Sequence, residues 1–393
     1  GEDQVIAVHQ LDHVVLERGQ IANSWRTERW DSLRLLTPNW MTRLPGGAYR
    51  GADPDGFMSS DEVVALLDDY GSACSAPILT NTVVERVTAG SARFDVMTDQ
   101  GTWAAKAVVV ATGACSQPNV PALADVLPRR IHQLTALEYR NPSRLGTGQV
   151  LVVGASASGA QIADELQRSG RQVTLAVGSH VRLPRTYRGR DIHWWLDAIG
   201  QLDERYDEVD DIDRARRQAS LQLVGGPERR TLDLNALVEA GVRVVGKLAG
   251  VTDTVAQFSG GLGGVVANAD LKQRRLLDRI DEFVSEHGLD DDVDAVTRPA
   301  RTQLGPIPTE RLLCDFETVV WATGHRPTYP WLDPAALDRR GRPVHDGGIG
   351  AINGMYFLGL PFMRRRKSSF IDGVGPDATD LTDHLRSHLD RCA

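Results

Sequence analysis

Short, mainly apolar runs punctuate the chain at 14–16, 107–110, 150–153, 173–177, 242–245 and 318–321, most of them rich in valine. Runs of this length without polar alternation predict parallel strands buried on both faces. Between some of them the apolar residues change to a helical spacing. The pattern predicts helices over 61–70, over 160–168, over 232–240 closed by Gly241, and over 269–286 with Leu276, Ile280 and Val284 on one stripe. Strands alternating with helices make the fold class α/β. The acidic stretches "DERYDEVDDID" and "GLDDDVDAV" read as solvated helix faces or loops.

With 393 residues the chain is too long for one ordinary core, so two domains are expected. A net charge of -8, with no basic run longer than Arg364-Arg365-Arg366-Lys367, argues against a nucleic-acid partner. That run reads as local anion pairing or solvated surface. No apolar run approaches the roughly 20 residues of a membrane span, and no charged-then-apolar leader precedes the first strand. No membrane partner and a cytoplasmic location are therefore expected. Cys74, Cys115, Cys314 and Cys392 form no C-x-x-C pair and no metal-ligand spacing. They are expected to be reduced structural thiols, with neither a dithiol redox centre nor a metal site.

The strongest chemical signal is "QVLVVGASASGAQIADEL", residues 149–166. A buried strand runs into Gly154-x-Ser156-x-Ser158-Gly159 and straight on into a helix, the layout that lets backbone approach a pyrophosphate at a helix N-terminus. Gly154 would make the turn, Ser156 would leave room for the diphosphate, and Gly159 would let the helix pack against the sheet. The next strand ends in Gly178-Ser179-His180, with no acid to hold a ribose 2'-hydroxyl. Arg182 and Arg185 follow, and a guanidinium fork suits a 2'-phosphate, so the expected cofactor here is NADPH.

"DHVVLERG", residues 12–19, ends a predicted strand on Glu17, an acid suited to both ribose hydroxyls of an adenosine without a 2'-phosphate, as in FAD. Two further stretches, "AVVVATGACSQPNVP" and "TVVWATGHRPTYPWL", each run a strand into Ala-Thr-Gly. Thr112-Gly113 and Thr323-Gly324 are small enough for backbone to pass close to a dinucleotide. One such turn before the central Gly-rich turn and one after it suggest a nucleotide fold interrupted by a second.

On these motifs the chain resembles the flavin-containing monooxygenases and their bacterial relatives among the two-dinucleotide-binding-domain flavoproteins, over nearly its whole length. The resemblance implies two Rossmann-like domains, with an NADP domain (147–310) inserted into a discontinuous FAD domain (1–146 and 311–393). "LERGQIANSWRTERWDSLRLLTPN" resembles the segment after the first FAD strand. It would place Glu17, Arg18, Trp25 and Arg26 along the FAD adenosine and diphosphate, with Thr37 and Asn39 nearer the flavin. Asn39 is the catalytic candidate, although it lies a few residues later than the active-site Asn of the amine-oxidising members. "GMYFLGLPFM" and "SSFIDGVGPDATDL" resemble the closing strand and helix, bringing Gly359 and Asp372 toward the flavin.

The family's first G-x-G-x-x-G is missing ahead of "DHVVLERG", with Gly1 at most its last glycine; a trimmed chain is the expectation. Its motif F-x-G-x-x-x-H-x-x-x-Y, aligned on Tyr139, puts Arg129, Ile131 and Thr135 at the Phe, Gly and His positions. His132 is out of register and reads as a surface histidine. The implied reaction is hydride transfer from NADPH to FAD, O2 activation as a C4a-hydroperoxyflavin, and oxygen transfer to a small organic substrate. Two alternatives stay open: an NADPH-dependent reductase or oxidase without oxygen insertion, and a flavin-free nucleotide-binding protein. Trp194-Trp195 read as core before pocket wall, and "SGGLGG", 259–264, as a flexible turn. The sequence leaves a homodimer open.

Overall fold

The computed structural model describes residues 11–391. Gly1, the candidate last glycine of the first Gly-rich turn, and residues 2–10 therefore lie outside the described part, as does Cys392. The largest sheet has five parallel strands in the order Arg243–Gly246, Val173–Val177, Gln149–Val153, Phe316–Trp321, His132–Thr135. The strand period of two divides their side chains between two cores. Val150, Val152 and Val320 join Ile162 and Leu166 of the following helix, while Leu151, Val153 and Val319 turn to Leu248, Ala256 and Phe258. The latter three come from an antiparallel sheet of Leu248–Val251, Val255–Phe258 and Glu310–Leu312. Both faces are covered, which is why the neighbouring strands over 150–153 and 173–177 are buried throughout and carry no polar alternation.

This sheet runs past both expected limits, 147 and 310. His132–Thr135 enters from the N-terminal side and Phe316–Trp321 from the C-terminal side. A buried valine run does not say which sheet it joins, because that is settled by pairing with residues far away in sequence.

The remaining segments share a second core. Val108–Val110 pairs in parallel with Met355–Phe357, so chain from either side of the large sheet meets in one sheet. Val110, Met355 and Phe357 pack there with Phe94 and Val96 of an antiparallel meander and with Leu381 and Leu385 of the helix Ile371–Arg391. Val15–Leu16 pairs in parallel with Ile78–Leu79. The helix Ser60–Ala73 leads into that second strand and opens with a reciprocal capping box between Ser59 and Glu62.

The glycine-rich stretch 259–264 is a correction. It follows the strand Val255–Phe258 and forms the start of the helix Leu262–Glu286, seven residues before the expected start. Leu262 and Val266 are buried, and that burial offsets the cost of about 1 kcal/mol for each helical glycine. Among the described residues no helix is long and apolar enough to cross a membrane. The basic run is paired throughout: Arg364 with Asp380, Arg365 with Asp377 and Asp380, Arg366 with Glu204, and Lys367 with Asp203.

Candidate active site

The Gly-rich turn is set by two close approaches. Gly154 has φ +106° and donates its N–H to Ala176 O at 2.9 Å. A Cβ there would overlap the Ala322 carbonyl oxygen, and one at Gly159 would overlap the Gly154 carbonyl oxygen. Both positions therefore require glycine for protein packing alone. Ala322 N donates to Val153 O at 2.9 Å, so the late Ala-Thr-Gly motif is the floor of the turn. Ser156 is the N-cap of the helix Ala157–Arg168, and its hydroxyl caps nothing. Ser158 lies in the first helical turn, half-buried. Such a helix start, without a side-chain cap, suits a diphosphate.

The late Ala-Thr-Gly turn is bonded to the chain that follows the early one. Thr323 Oγ1 donates to Asn119 O at 2.5 Å, Asn119 N donates to Gly324 O at 2.9 Å, and Arg326 N donates to Gln117 O at 2.9 Å. With the antiparallel bridge of Pro118 and His325, these bonds make a short ribbon of the outgoing and returning chain. Gly113, Gly324 and Gly359 have φ of +68°, +86° and +73°, and a Cβ at any of them would meet nothing within 4 Å. Unlike Gly154 they border open space. Thr112 is exposed beside Gly113.

Around the first strand, one oxygen of Glu17 accepts from Gly19 N at 2.9 Å. Arg18 pairs with Glu28 at 2.5 Å and Arg26 with Asp68. These partly exposed pairs are worth at most about 1 kcal/mol, so they yield readily to another anion. Trp25 lies 5.2 Å from the Arg29 guanidinium. Thr37 is half-buried and Asn39 is 5% exposed. Asn39 Nδ2 donates to Asp53 O at 2.9 Å, but Oδ1 has no partner among the described residues. Asp372, also buried, accepts from Arg43 through both oxygens and lies 3.5 Å from Lys367 Nζ.

Arg182 and Arg185 correct the sequence reading. Arg182 is 2% exposed, donating to Asp233 through Nε and Nη2, to Asp270 through Nη1 and to Ala300 O, all within 2.9 Å. Arg185 is 0% exposed and donates to Leu36 O, Asp191 and His193 Nδ1. Neither guanidinium is presented to a ligand. Proximity in sequence to a strand end says nothing about which way a long side chain turns. Burial, together with the Arg185 charge, holds His193 below its ordinary pKa, which leaves its Nδ1 free to accept.

Tyr139, the surviving residue of the eroded motif, is fully buried and donates to Glu165 on the turn helix at 2.8 Å, so it acts in packing. His132 is exposed at the sheet edge. Trp195 is core, donating to Tyr187 O at 2.7 Å, whereas Trp194 is half-buried under Arg190.

Segment 220–231 was missed from sequence. Gln222 donates to Ala155 O at 2.6 Å, Leu223 O accepts from Gln161, and a Cβ at Gly225 would overlap Leu35 O. The segment wedges between the Gly-rich turn and the chain ahead of Asn39. Its only local signal is Gly225-Gly226-Pro227, which announces a turn but not its neighbours.

A strand-turn-helix nucleotide motif tied to a second, open glycine cradle defines an oxidoreductase with the fold of the two-dinucleotide-binding-domain flavoproteins. Residues 5–201 match the family model for pyridine nucleotide-disulphide oxidoreductases, and the chain belongs to that family. It is 33% identical to an uncharacterized CzcO-like oxidoreductase of Geobacillus kaustophilus, covering 95% of this chain and 91% of that protein. It is 24% identical to the indole-3-pyruvate monooxygenase YUCCA4 of Oryza sativa subsp. japonica, covering 98% and 84% of the two chains. Among solved structures it resembles a flavin-containing monooxygenase from Stenotrophomonas maltophilia, with a TM-score of 0.67, 20% identity and coverage of 100% and 96%. A bacillithiol disulfide reductase from Bacillus cereus gives a TM-score of 0.61 at 15% identity, covering 98% and 94%.

Proposed function

We propose that the protein is an FAD- and NADPH-dependent monooxygenase acting with O2 on a small organic substrate. The observation that supports this reading is the ribbon of 117–119 with 323–326, which bonds the late Ala-Thr-Gly turn to the chain after the early one while Ala322 floors the Gly-rich turn. In this reading an NADP domain centred on 147–310, widened by His132–Thr135 and Phe316–Trp321, interrupts an FAD domain of two segments.

The residues fit both groups. Open space at Gly113, Gly324 and Gly359 accommodates a dinucleotide against backbone, and Glu17 keeps one carboxylate oxygen for ribose hydroxyls. Ser156, Ser158 and the start of the helix Ala157–Arg168 would hold the second diphosphate. The preference for NADPH rests on the absence of an acid at Gly178-Ser179-His180, where a carboxylate would repel a 2'-phosphate.

When bound, the pair supplies the electrons and the oxygen activation that no side chain provides. The chain binds, orients and dries the site. Asn39 offers a buried acceptor, Oδ1, toward a substrate donor or an ordered water. Asp372, held by Arg43 and Lys367, fixes the start of the last helix, which in this reading would face the flavin. The described cysteines are unpaired and the sequence holds no C-x-x-C, which supports oxygen or another acceptor over a dithiol relay.

The losses at Arg129, Ile131 and Thr135 favour the second reading, a reductase or oxidase without oxygen insertion. The test is to follow NADPH consumption, peroxide release and oxygenated product together. Product matching NADPH supports the monooxygenase; peroxide matching NADPH with no oxygenated product overturns it.

A further inference from the structure

A fully buried arginine needs a reason, because its charge gives up all of its water on folding. Arg185 sits at the end of the chain that leaves the nucleotide sheet, and its neighbours divide into two groups. From its own side, Asp191 lies 2.6 Å from Nη2, His193 Nδ1 accepts from the same nitrogen at 3.0 Å, and Thr231 Oγ1 accepts from the Arg185 backbone N–H at 3.0 Å. From the other side, 149 residues earlier, the Leu36 carbonyl accepts from Nη1 at 2.8 Å, and the Phe57 ring stands 4.7 Å from the guanidinium carbon. Leu36 immediately precedes Thr37 and stands three residues before Asn39. The same stretch is bonded by Leu35 N to Met58 O and by Asn39 N to Gly56 O, and it is pressed by Gly225 against Leu35.

We propose that Arg185 is a positioning residue: its guanidinium, anchored on Asp191 and His193, holds the Leu36 carbonyl and so fixes the placement of Thr37 and Asn39 relative to the nucleotide turn. A planar fork suits this task because one nitrogen reaches Leu36 while the other is engaged by its anchors, and an ammonium group cannot span both. That the loop faces the flavin and substrate rests on the monooxygenase reading; that Arg185 fixes the loop does not.

The experiment compares the full-length protein with Arg185→Lys, Arg185→Met and the charge-matched pair Arg185→Met/Asp191→Asn, which leaves no lone buried carboxylate and retains an N-cap side chain at 191. Peptide-resolved hydrogen exchange over 34–41 is expected to speed up about tenfold in the paired variant, with the helix Ala157–Arg168 unchanged. Turnover is expected to fall about tenfold or more, as misplacement of a site group does, while KM for NADPH stays within about threefold; Arg185→Lys should lie between. Unchanged exchange over 34–41, or equal acceleration in the turn helix, overturns the proposal. A rise in KM for NADPH at unchanged turnover also overturns it, by returning Arg185 to nucleotide binding. If the monooxygenase reading alone fails, the exchange result stands while oxygenated product is missing from the unsubstituted protein as well.

Discussion

The carbonyl of Ala322 occupies the space that any side chain at Gly154 would need, so the late Ala-Thr-Gly motif and the Gly-rich turn are one packing unit. Gly154→Ala adds a left-handed backbone strain to a collision with rigid backbone. It is expected to cost about 2–4 kcal/mol and to abolish pyridine-nucleotide binding. Gly178→Ala, where a Cβ meets nothing, should stay within about 0.5 kcal/mol. Denaturant unfolding and nucleotide titration check the pair.

Arg182→Met strips the only buried cation bonded to both Asp233 and Asp270 among the described residues. Breaking such a pair from one side costs about 3–5 kcal/mol. The ratio of kcat/KM for NADPH to that for NADH is expected to be unchanged. A stable variant with weakened NADPH selectivity would restore the phosphate-binding role that the buried geometry denies.

Glu17→Gln keeps an acceptor for Gly19 N but loses the charge that, in the proposed role, would strengthen bonds from ribose hydroxyls. FAD affinity is expected to drop about tenfold, which is about 1.4 kcal/mol. Unfolding of the flavin-free chain should barely change. Reconstitution followed by flavin fluorescence measures the first quantity and thermal melting the second.

His345 gives a pH dependence. Burial, aided by the Arg216 charge and opposed by Asp346, pushes its pKa down to about 4 from 6.5. Gly348 N donates to its Nδ1 at 3.1 Å, so the neutral ring is the one the fold uses. Between these values the unfolded chain binds more protons than the folded one. Stability from this group is therefore complete above about pH 6.5 and declines as pH falls toward 4, by about 3 kcal/mol at most. His345→Gln should flatten that part of the curve; an unaltered slope between pH 6.5 and 4.5 would assign the loss to other groups.

The strands were legible because burial on both faces leaves a plain signature: 173–177 is the same in sequence and structure, and 150–153 gains only Gln149. The Gly-rich turn was legible because Gly154 and Gly159 answer local demands of a tight strand-to-helix connection. Arg182 and Arg185 were misread, since their partners Asp233, Asp270 and Leu36 lie 51, 88 and 149 residues away. The helix start at Leu262 was hidden for a related reason. Glycine weakens the local signal, and the burial that overrides it comes from tertiary packing. Segment 220–231 carries no motif, because its role is to fill a gap whose shape is set by others.

The laced strands at Pro118 and His325 also have a mechanical meaning. Two separate tethers would let the halves of the molecule drift apart on slack chain, whereas a single double-stranded spine resists stretching and yields mainly to torsion. Strain on this spine would reach the Gly-rich turn directly, because Ala322, the floor of that turn, immediately precedes Thr323.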